Sequence, residues 1–251
     1  MYAIFVTGTA GSGKSILTSR LLEWYTNNNA YAVALNLDPG AVNLPYEPAV
    51  DVRDHIDINT IMESYALGPN GALIMASDMI ATRLDEIQNE VDSINPDYVI
   101  VDTPGQLELF AYRASGPFFV SNFKCEEKAA IFLFDGTLVS SPTNFVSIAL
   151  LATSIRLRLK APQVNVLSKT DLMTEKISTV LSWSSNAALL ERAIAGEKDS
   201  EAYLLSMGLL KGMRGGFSGG LLAVSSATME GMINLTGALG RIFKMGEEVE
   251  D

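Results

Sequence analysis

The stretch Gly8-Thr9-Ala10-Gly11-Ser12-Gly13-Lys14-Ser15 decides the fold of this chain. A short apolar run, residues 2–6, precedes it and predicts a buried strand, while residues 16–25 follow it and predict a helix. A glycine-rich loop that joins a strand to a helix brings backbone N–H groups and a helix start close to an anion. The sequence therefore predicts a phosphate-binding loop at the start of an α/β fold.

The side chains of this loop suit a nucleotide with a magnesium ion. Lys14 can place its charge on the terminal phosphates, and the Ser15 hydroxyl can reach Mg²⁺. The glycines let the backbone turn tightly, so that its N–H groups can come close to the phosphates. The predicted phosphate-binding residues are Gly11, Ser12, Gly13, Lys14, Ser15 and Ile16.

Composition limits the classes of protein to consider. The chain has 251 residues, of which 48% are hydrophobic and 19% charged, as in globular domains. Its net charge of −11 argues against direct nucleic-acid binding. Cys125, the one cysteine, excludes an internal disulfide, and no apolar run is as long as a membrane span. The first residues lack the basic region of a signal peptide, so we expect a cytoplasmic protein with no membrane contact.

Strands and helices alternate along the chain. Strands are predicted at residues 2–6, 31–37, 98–101, 129–134, 164–167 and 221–224. Helices are predicted at residues 13–27, 80–94, 145–159 and 229–245, with a weaker one at 52–65 that Gly68-Pro69-Asn70-Gly71 breaks. Residues 39–50 are predicted to be a mostly irregular connection. This order predicts the three-layer fold of P-loop NTPases, with a mostly parallel central sheet and helices on both faces.

No linker divides the chain, so we interpret residues 1–251 as a single P-loop NTPase domain. Within it, residues 172–211 are predicted to be a helical elaboration and residues 212–220, with five glycines, a mobile loop. Residues 246–251 are predicted to be a frayed acidic tail.

Two carboxylates follow buried strands, where open α/β sheets bind ligands. Asp38 can hold Mg²⁺ through water or orient an attacking water, although Asp-Pro-Gly is also a simple turn. Asp102 opens the motif Asp102-Thr103-Pro104-Gly105-Gln106 and can reach Mg²⁺. The predicted magnesium residues are therefore Ser15, Asp38 and Asp102.

The rest of that motif can act on the γ-phosphate and on water. The Gly105 amide can approach the phosphate, and Gln106 can align a water for in-line attack. Glu108 could accept the proton of that water, or it could simply be an exposed glutamate at the start of a helix.

A third motif, Ser168-Lys169-Thr170-Asp171, resembles the guanine-reading N-K-x-D element, with serine in place of asparagine. Asp171 can accept two hydrogen bonds from guanine, a donor pair that adenine lacks, and the Lys169 stem can lie over the base. Backbone amides of Ser226 and Ala227, after the last predicted strand, can reach the guanine O6.

With Gly68-Pro69-Asn70 between the second and third predicted strands, these motifs resemble those of the GPN-loop GTPases. The further segments that carry the resemblance are Asn36-Leu37-Asp38-Pro39, Tyr46-Glu47-Pro48, Asp51-Val52-Arg53-Asp54 and Leu107-Glu108. The resemblance implies a homodimer or heterodimer whose nucleotide sites face each other, with Asn70 reaching the γ-phosphate side of the partner. It implies that Asp38, Gln106 and Glu108 arrange the water.

The small size looks like that of archaeal, homodimeric members of this family. The resemblance implies a dimeric switch or assembly factor that hydrolyses GTP to GDP and phosphate with Mg²⁺, for a protein client such as RNA polymerase. An ATPase of the partitioning or nitrogenase-iron-protein type is a competing hypothesis, but such an ATPase carries a lysine where this chain has Thr9. A second competing hypothesis is a metal-insertion GTPase, but the sequence lacks the Cys/His clusters that such a protein would use to bind its metal. A third is a nucleotide-binding scaffold with negligible turnover.

Overall fold

The computed structural model describes residues 1–173, 175–196, 200–213 and 220–247. At its centre lies a sheet of seven strands in the order β3-β2-β4-β1-β5-β6-β7, and all neighbouring strands run parallel. The strands are β1 (Tyr2–Gly8), β2 (Ala32–Asn36), β3 (Val50–Asp51), β4 (Tyr98–Asp102), β5 (Lys128–Asp135), β6 (Gln163–Ser168) and β7 (Leu222–Ala223).

The central strands are continuous apolar runs because both faces of the sheet are covered. β1 lies between β4 and β5, and its register pairs Val6 with Asp102 and Gly8 with Leu133. Because all strands point the same way, their carboxyl ends share one edge of the sheet. The polar residues that follow β1, β2, β4, β5 and β6 therefore meet there.

Helices cover both faces and complete three layers. They are α1 (Lys14–Asn27), α2 (Val52–His55), α3 (Ile58–Tyr65), α4 (Pro69–Met79), α5 (Leu84–Ile94), α6 (Leu107–Ala111), α7 (Ser115–Asn122), α8 (Pro142–Leu159), α9 (Ile177–Ser185), α10 (Ala187–Ala195), α11 (Ser200–Met213) and α12 (Met232–Glu247). Leu17 and Leu21 of α1 pack with Leu235 and Leu239 of α12 in one core layer. The larger core on the opposite face includes Phe110, Phe119 and Phe145. The predicted fold class is confirmed.

Several local predictions were wrong or incomplete. The short strand β3 and the helices α4 and α7 were not predicted, and α6 was raised only as an alternative for Glu108. The helix expected at residues 80–94 begins with a 3₁₀ turn, Ile80–Arg83. The helical elaboration is three separate helices, α9 to α11, after a 3₁₀ turn at Thr170–Leu172. None of the helices in these described ranges is both long and apolar enough to cross a membrane.

The Gly-Pro-Asn segment begins a helix. Gly68 is the N-cap of α4, and Pro69 occupies the first helical turn, where its missing N–H costs nothing. The preceding helix α3 ends at Tyr65 because Ala66 adopts a left-handed conformation, with φ 51°. The predicted break is therefore the short gap between two helices.

The last helix also departs from the prediction. α12 begins at Met232, three residues later than predicted, after Gly231, which has φ 83°. Its helical range includes Gly246 and Glu247, which were expected in the tail, while residues 248–251 lie outside the described residues. Of the predicted mobile loop, residues 212 and 213 belong to α11 and residues 214–219 are likewise outside the described ranges.

Candidate functional site

The loop between β1 and α1 has a backbone that only glycine adopts readily. Gly13, the N-cap of α1, has φ 96°, and Gly11 has φ 75°. At Gly8 an added Cβ would lie 2.7 Å from Ser12 Oγ and 3.0 Å from Leu133 Cβ. The loop is thus compact on the inside while its amides at the helix start face outward, which is the geometry that binds an anion.

A cavity of about 260 Å³ lies against this loop. Its lining residues come from the ends of β1, β2 and β4 and are Gly11, Gly13, Lys14, Ser15, Ile16, Asp38, Thr103 and Gly105. The structure therefore brings together most of the residues that were predicted to hold phosphates and magnesium. Ser12 lies beneath them, fully buried, and its Oγ has no hydrogen-bond partner within the described ranges.

Lys14 is held inside the loop. Its side chain is buried, and Nζ donates to the backbone oxygens of Gly8 and Thr9 at 3.0 Å and of Gly105 at 3.5 Å. Burial lowers the pKa of Lys14, while the charges of Asp102 and Asp38 oppose that shift. An incoming phosphate would add a strong acceptor at this ammonium.

Asp38 connects two backbone segments of the cavity. Its Oδ1 accepts from the Gly40 amide at 2.9 Å, and its Oδ2 accepts from the Gly105 amide at 2.9 Å. Asn36 at the end of β2 fixes the start of this turn, because its Oδ1 accepts from the Asp38 amide at 3.0 Å. The carboxylate is thereby aimed at the same amide that was predicted to approach a γ-phosphate.

Asp102 is a buried carboxylate, with 2% of its surface exposed. Burial raises its pKa, and donors on Ser15 and Tyr46, together with the charge of Lys14, partly offset the rise. Tyr46 Oη donates to Oδ2 at 2.8 Å, whereas Oδ1 makes no well-formed hydrogen bond in the described part of the chain. Tyr46 was not predicted as a site residue.

This donor set fits Mg²⁺, which prefers oxygen ligands and keeps several waters. The oxygens of Ser15, Asp38 and Asp102 lie at one sheet edge, and a buried carboxylate oxygen there is unsatisfied. Among the residues that the structure describes, no cluster of three or more His, Cys, Asp or Glu side chains is placed to hold a metal by itself. A magnesium ion here would therefore need oxygens from phosphate and water as well.

The predicted base-reading residues lie at the ends of β6 and β7. Asp171 is exposed, and its Oδ1 accepts from Ser225 Oγ at 2.7 Å. The Ser226 carbonyl accepts from Arg20 Nε of α1 at 2.9 Å, and Ala227 next to it is exposed. Ser225 and Arg20 thus hold the two base-reading segments. Ser225 was expected only to offer its backbone in the segment Ser225-Ser226-Ala227, and Arg20 was not predicted.

Lys169 is held in place by a further carboxylate. Its Nζ donates to Asp135 Oδ2 at 2.6 Å, and Thr137 donates to Asp135 Oδ1 from both its backbone and its hydroxyl. Lys169 has φ 57°, which is uncommon for a residue with a Cβ. Asp135 ends β5 just as Asp102 ends β4, and this shared position is the signal that could have identified it.

Ser168, which replaces the asparagine of N-K-x-D, joins the two halves of the site. Its hydroxyl lies 2.9 Å from the carbonyl oxygen of Ser12 in the phosphate loop and 3.2 Å from that of Phe134. The side chain is buried, so the short serine suffices to connect β6 to the phosphate loop.

Three predicted residues lie away from the cavity. Gln106 is the N-cap of α6, Glu108 is in its first turn, and Asn70 is in the first turn of α4. All three side chains are exposed, and none of them lines the cavity of the phosphate loop. Within one chain the structure does not bring them onto the phosphate-binding residues.

Several polar residues outside the cavity have structural partners. Arg53 forms an ion pair with Asp51 and donates to the Ala41 carbonyl. His55 lies between Glu86 and Glu90, with nitrogen–oxygen distances of 3.3 and 3.2 Å. Burial raises the pKa of Cys125, consistent with an unreactive thiol.

A larger cavity, of about 750 Å³, lies at the surface of α7 and the end of α4. Its two charged lining residues, Asp78 and Arg113, pair with each other. It has no glycine-rich loop and no strand end, so the smaller cavity is the better candidate for chemistry.

The chain matches one family model and several named proteins. Residues 6–244 match the model of a family described as "Conserved hypothetical ATP binding protein". A GPN-loop GTPase of Arabidopsis thaliana is 33% identical over 232 residues, which are 90% of this chain and 61% of that protein. GPN-loop GTPase 3 of Schizosaccharomyces pombe is 34% identical over 176 residues, which are 69% of this chain and 64% of that protein.

A solved structure from Pyrococcus abyssi, described as a GTPase in apo form, is similar over 97% of both chains, with a TM-score of 0.84 and 28% identity. The aligned residues span 61% and 64% of the length of the two curated relatives above, which is less than two thirds of each. These similarities do not test whether the chain is of the archaeal type, which stays a prediction.

Proposed function

Because this chain belongs to the family of the GPN-loop GTPases, we propose that it binds GTP with Mg²⁺ and hydrolyses it to GDP and phosphate. The observation that carries the proposal is the cavity at the phosphate loop. Lys14, Ser15, Asp38 and Gly105 converge there from three parts of the chain. The larger size of the curated relatives means that their activities and partners come to this chain only as proposals.

In the proposed reaction, the loop amides and Lys14 bind the β- and γ-phosphates and offset their charge. Ser15 and Asp102 would hold Mg²⁺, directly or through water, and the ion would neutralise developing charge on the phosphate oxygens. Asp38 would orient the attacking water, and Gln106 and Glu108, which lie outside the cavity in this structure, would have to move toward it when nucleotide binds. The Gly105 amide, which here donates to Asp38, would then donate to the γ-phosphate instead. Lys169, Asp171, Ser226 and Ala227 bind the base.

The choice between GTP and ATP needs its own argument, since the family description names ATP and the relatives are named GTPases. A carboxylate favours guanine, because the N1 and 2-amino groups of guanine both donate and adenine lacks this pair. Asp171 is oriented by Ser225, and this arrangement supports guanine.

We also propose a homodimer in which Asn70 of one copy reaches the γ-phosphate side of the other. Asn70 is exposed in the first turn of α4, where it does not contact the phosphate cavity of its own chain. Ile74, four residues after Asn70 and so on the same face of α4, is 39% exposed, which leaves an apolar side chain beside Asn70 for a partner to cover. A cytoplasmic dimeric switch or assembly factor for a protein client, such as RNA polymerase, is the corresponding cellular proposal.

The proposal is tested by titrating the purified protein with a fluorescent GTP analogue in Mg²⁺, with unlabelled GTP or ATP as competitor, followed by single-turnover hydrolysis. We expect GTP to compete much better than ATP. Lys14→Ala should weaken binding about 100-fold, since one or two charge-assisted hydrogen bonds of about 1.5–3 kcal/mol each are lost. Lys124→Ala, which changes an exposed lysine, is the matched control.

Equal binding by Lys14→Ala would mean that the phosphate site lies elsewhere. Better competition by ATP would favour an ATPase. Tight binding without hydrolysis, even in Mg²⁺, would favour a nucleotide-binding scaffold.

A further inference from the structure

Tyr46 lies in the connection between β2 and β3, 56 positions before Asp102, yet the two side chains meet. The Tyr46 hydroxyl is 2.8 Å from Asp102 Oδ2. The Tyr46 hydroxyl donates and the carboxylate oxygen accepts, because an ionised carboxylate has no proton to donate. The bond therefore places a donor on one oxygen of the carboxylate.

The second oxygen of Asp102 has a different environment. Asp102 Oδ1 is buried and makes no well-formed hydrogen bond in the ranges that the structure describes, although the Ser15 hydroxyl is a neighbouring donor. A buried charged oxygen without a partner costs free energy unless a ligand satisfies it. The carboxylate thus has one oxygen fixed by Tyr46 and one available to a cation.

The connection that carries Tyr46 is itself anchored. The Pro45 carbonyl accepts from Ser19 Oγ of α1 at 3.1 Å, and the Ala41 carbonyl accepts from Arg53 at 2.8 Å. These bonds hold the segment that supplies the donor to Asp102. Tyr46 is therefore attached to the same helix whose start carries Lys14 and Ser15.

We infer that Tyr46 is a positioning residue of the magnesium site: its hydroxyl holds the Asp102 carboxylate so that the second oxygen serves Mg²⁺ or a water bound to it. The inference rests on the proposed function, because it requires a magnesium-bound nucleotide at the phosphate loop. Groups that orient a metal ligand in this way typically change metal affinity by about 10–100-fold when removed.

The test compares Tyr46→Phe with the wild type. The protein is loaded with a fluorescent GDP analogue, and the release of the analogue into excess unlabelled GDP is followed from excess EDTA to saturating Mg²⁺. Tyr46→Phe keeps the ring and removes only the donor. Tyr31→Phe, at an exposed tyrosine before β2, is the matched control.

We expect Tyr46→Phe to need about 10-fold more free Mg²⁺ for half-maximal retention of the nucleotide. Release in EDTA should match that of the wild type because the ring still packs, whereas the thermal midpoint without Mg²⁺ should fall because the buried Asp102 Oδ2 loses its donor. Tyr31→Phe should match the wild type throughout.

An unchanged magnesium midpoint in Tyr46→Phe would overturn the inference while leaving the proposed function intact. The inference would also be overturned if the variant released the nucleotide analogue faster by the same factor in EDTA and in Mg²⁺, because a general packing defect has that result. Failure of the wild type to retain guanine nucleotide would instead overturn the proposed function.

Discussion

The carboxylate of Asp38 accepts a hydrogen bond of 2.9 Å from the backbone amide of Gly105. Asp38 follows β2 and Gly105 follows β4, two neighbouring strands of the sheet. The same carboxylate also accepts from Gly40, so it fixes two turns at the edge of the phosphate cavity. Gly40 in turn lies against Leu73 of α4, and this contact links the Asp38 turn to the Gly-Pro-Asn helix.

Asp38→Asn tests the role of this carboxylate. The asparagine has one acceptor oxygen, so it cannot accept from both Gly40 and Gly105, and the water would lose its alignment. We expect single-turnover GTP hydrolysis to fall about 100-fold, the usual cost of a small misplacement at a reacting centre, with a much smaller effect on nucleotide affinity. Asp85→Asn, at an exposed carboxylate on α5, is the control. A wild-type rate in Asp38→Asn would remove Asp38 from the reaction.

Asp171→Asn tests the assignment of the base. The substitution replaces an acceptor by a donor where guanine presents its own donors, while xanthine presents a carbonyl instead. We expect GTP affinity to fall about 100-fold or more and XTP to become the better competitor in the fluorescence titration. Binding of XTP by the variant is the internal control for folding. Retained preference for GTP would reject the assignment of Asp171 to guanine.

Asn70→Ala tests the contact between two copies. Because Asn70 is exposed, its removal should leave the thermal midpoint and the affinity for GDP unchanged. The loss of a donor at the γ-phosphate should slow single-turnover hydrolysis about 10-fold or more. Asn89→Ala, at an exposed position of α5, should hydrolyse GTP at the wild-type rate. If both variants hydrolyse equally fast, the Asn70 proposal fails.

Asp135→Asn tests the ion pair behind the base site through its pH dependence. Burial alone would raise the pKa of Asp135, but hydrogen bonds from Lys169 and Thr137 outweigh burial and lower it below 3.8. A lowered pKa stabilises the folded protein above the unfolded pKa, and this stabilisation is lost as the pH falls through the folded value. The variant should therefore lose about 2 kcal/mol of unfolding free energy at neutral pH.

The difference between Asp135→Asn and the wild type should shrink as the pH falls from about 4 toward the lowered pKa of the folded carboxylate, because protonation removes the charge of Asp135 from the wild type. Denaturant unfolding of both proteins, at neutral pH and at a pH below about 4, measures this difference in unfolding free energy. A difference that is the same at both values would show that the charge of Asp135 contributes nothing.

The sheet was predictable because its strands are buried on both faces and read as unbroken apolar runs. β3 was not, since a two-residue strand has no periodicity of its own and depends on its pairing with β2. The start of α4 was predicted wrongly because Gly-Pro-Asn-Gly is typical of turns. Proline is also favoured in the first turn of a helix, and that is where Pro69 lies.

The site was predictable where its residues are contiguous, as in the phosphate loop and the segment from Asp102 to Gly105. The partners of these motifs were not, because they come from distant parts of the chain. Tyr46 and Asp102 are 56 positions apart, and Ser225 and Asp171 are 54 apart. Such pairs depend on the packing of loops at the sheet edge, which no local pattern encodes.

The most direct test of the central claim is a crystal structure of the protein grown with Mg²⁺ and a non-hydrolysable GTP analogue. The account predicts that the triphosphate contacts the amides of residues 11–16 and Lys14, with the ion near Ser15 and Asp102 and the base on Asp171. A nucleotide bound at any other place, with only solvent at the phosphate loop, would contradict it.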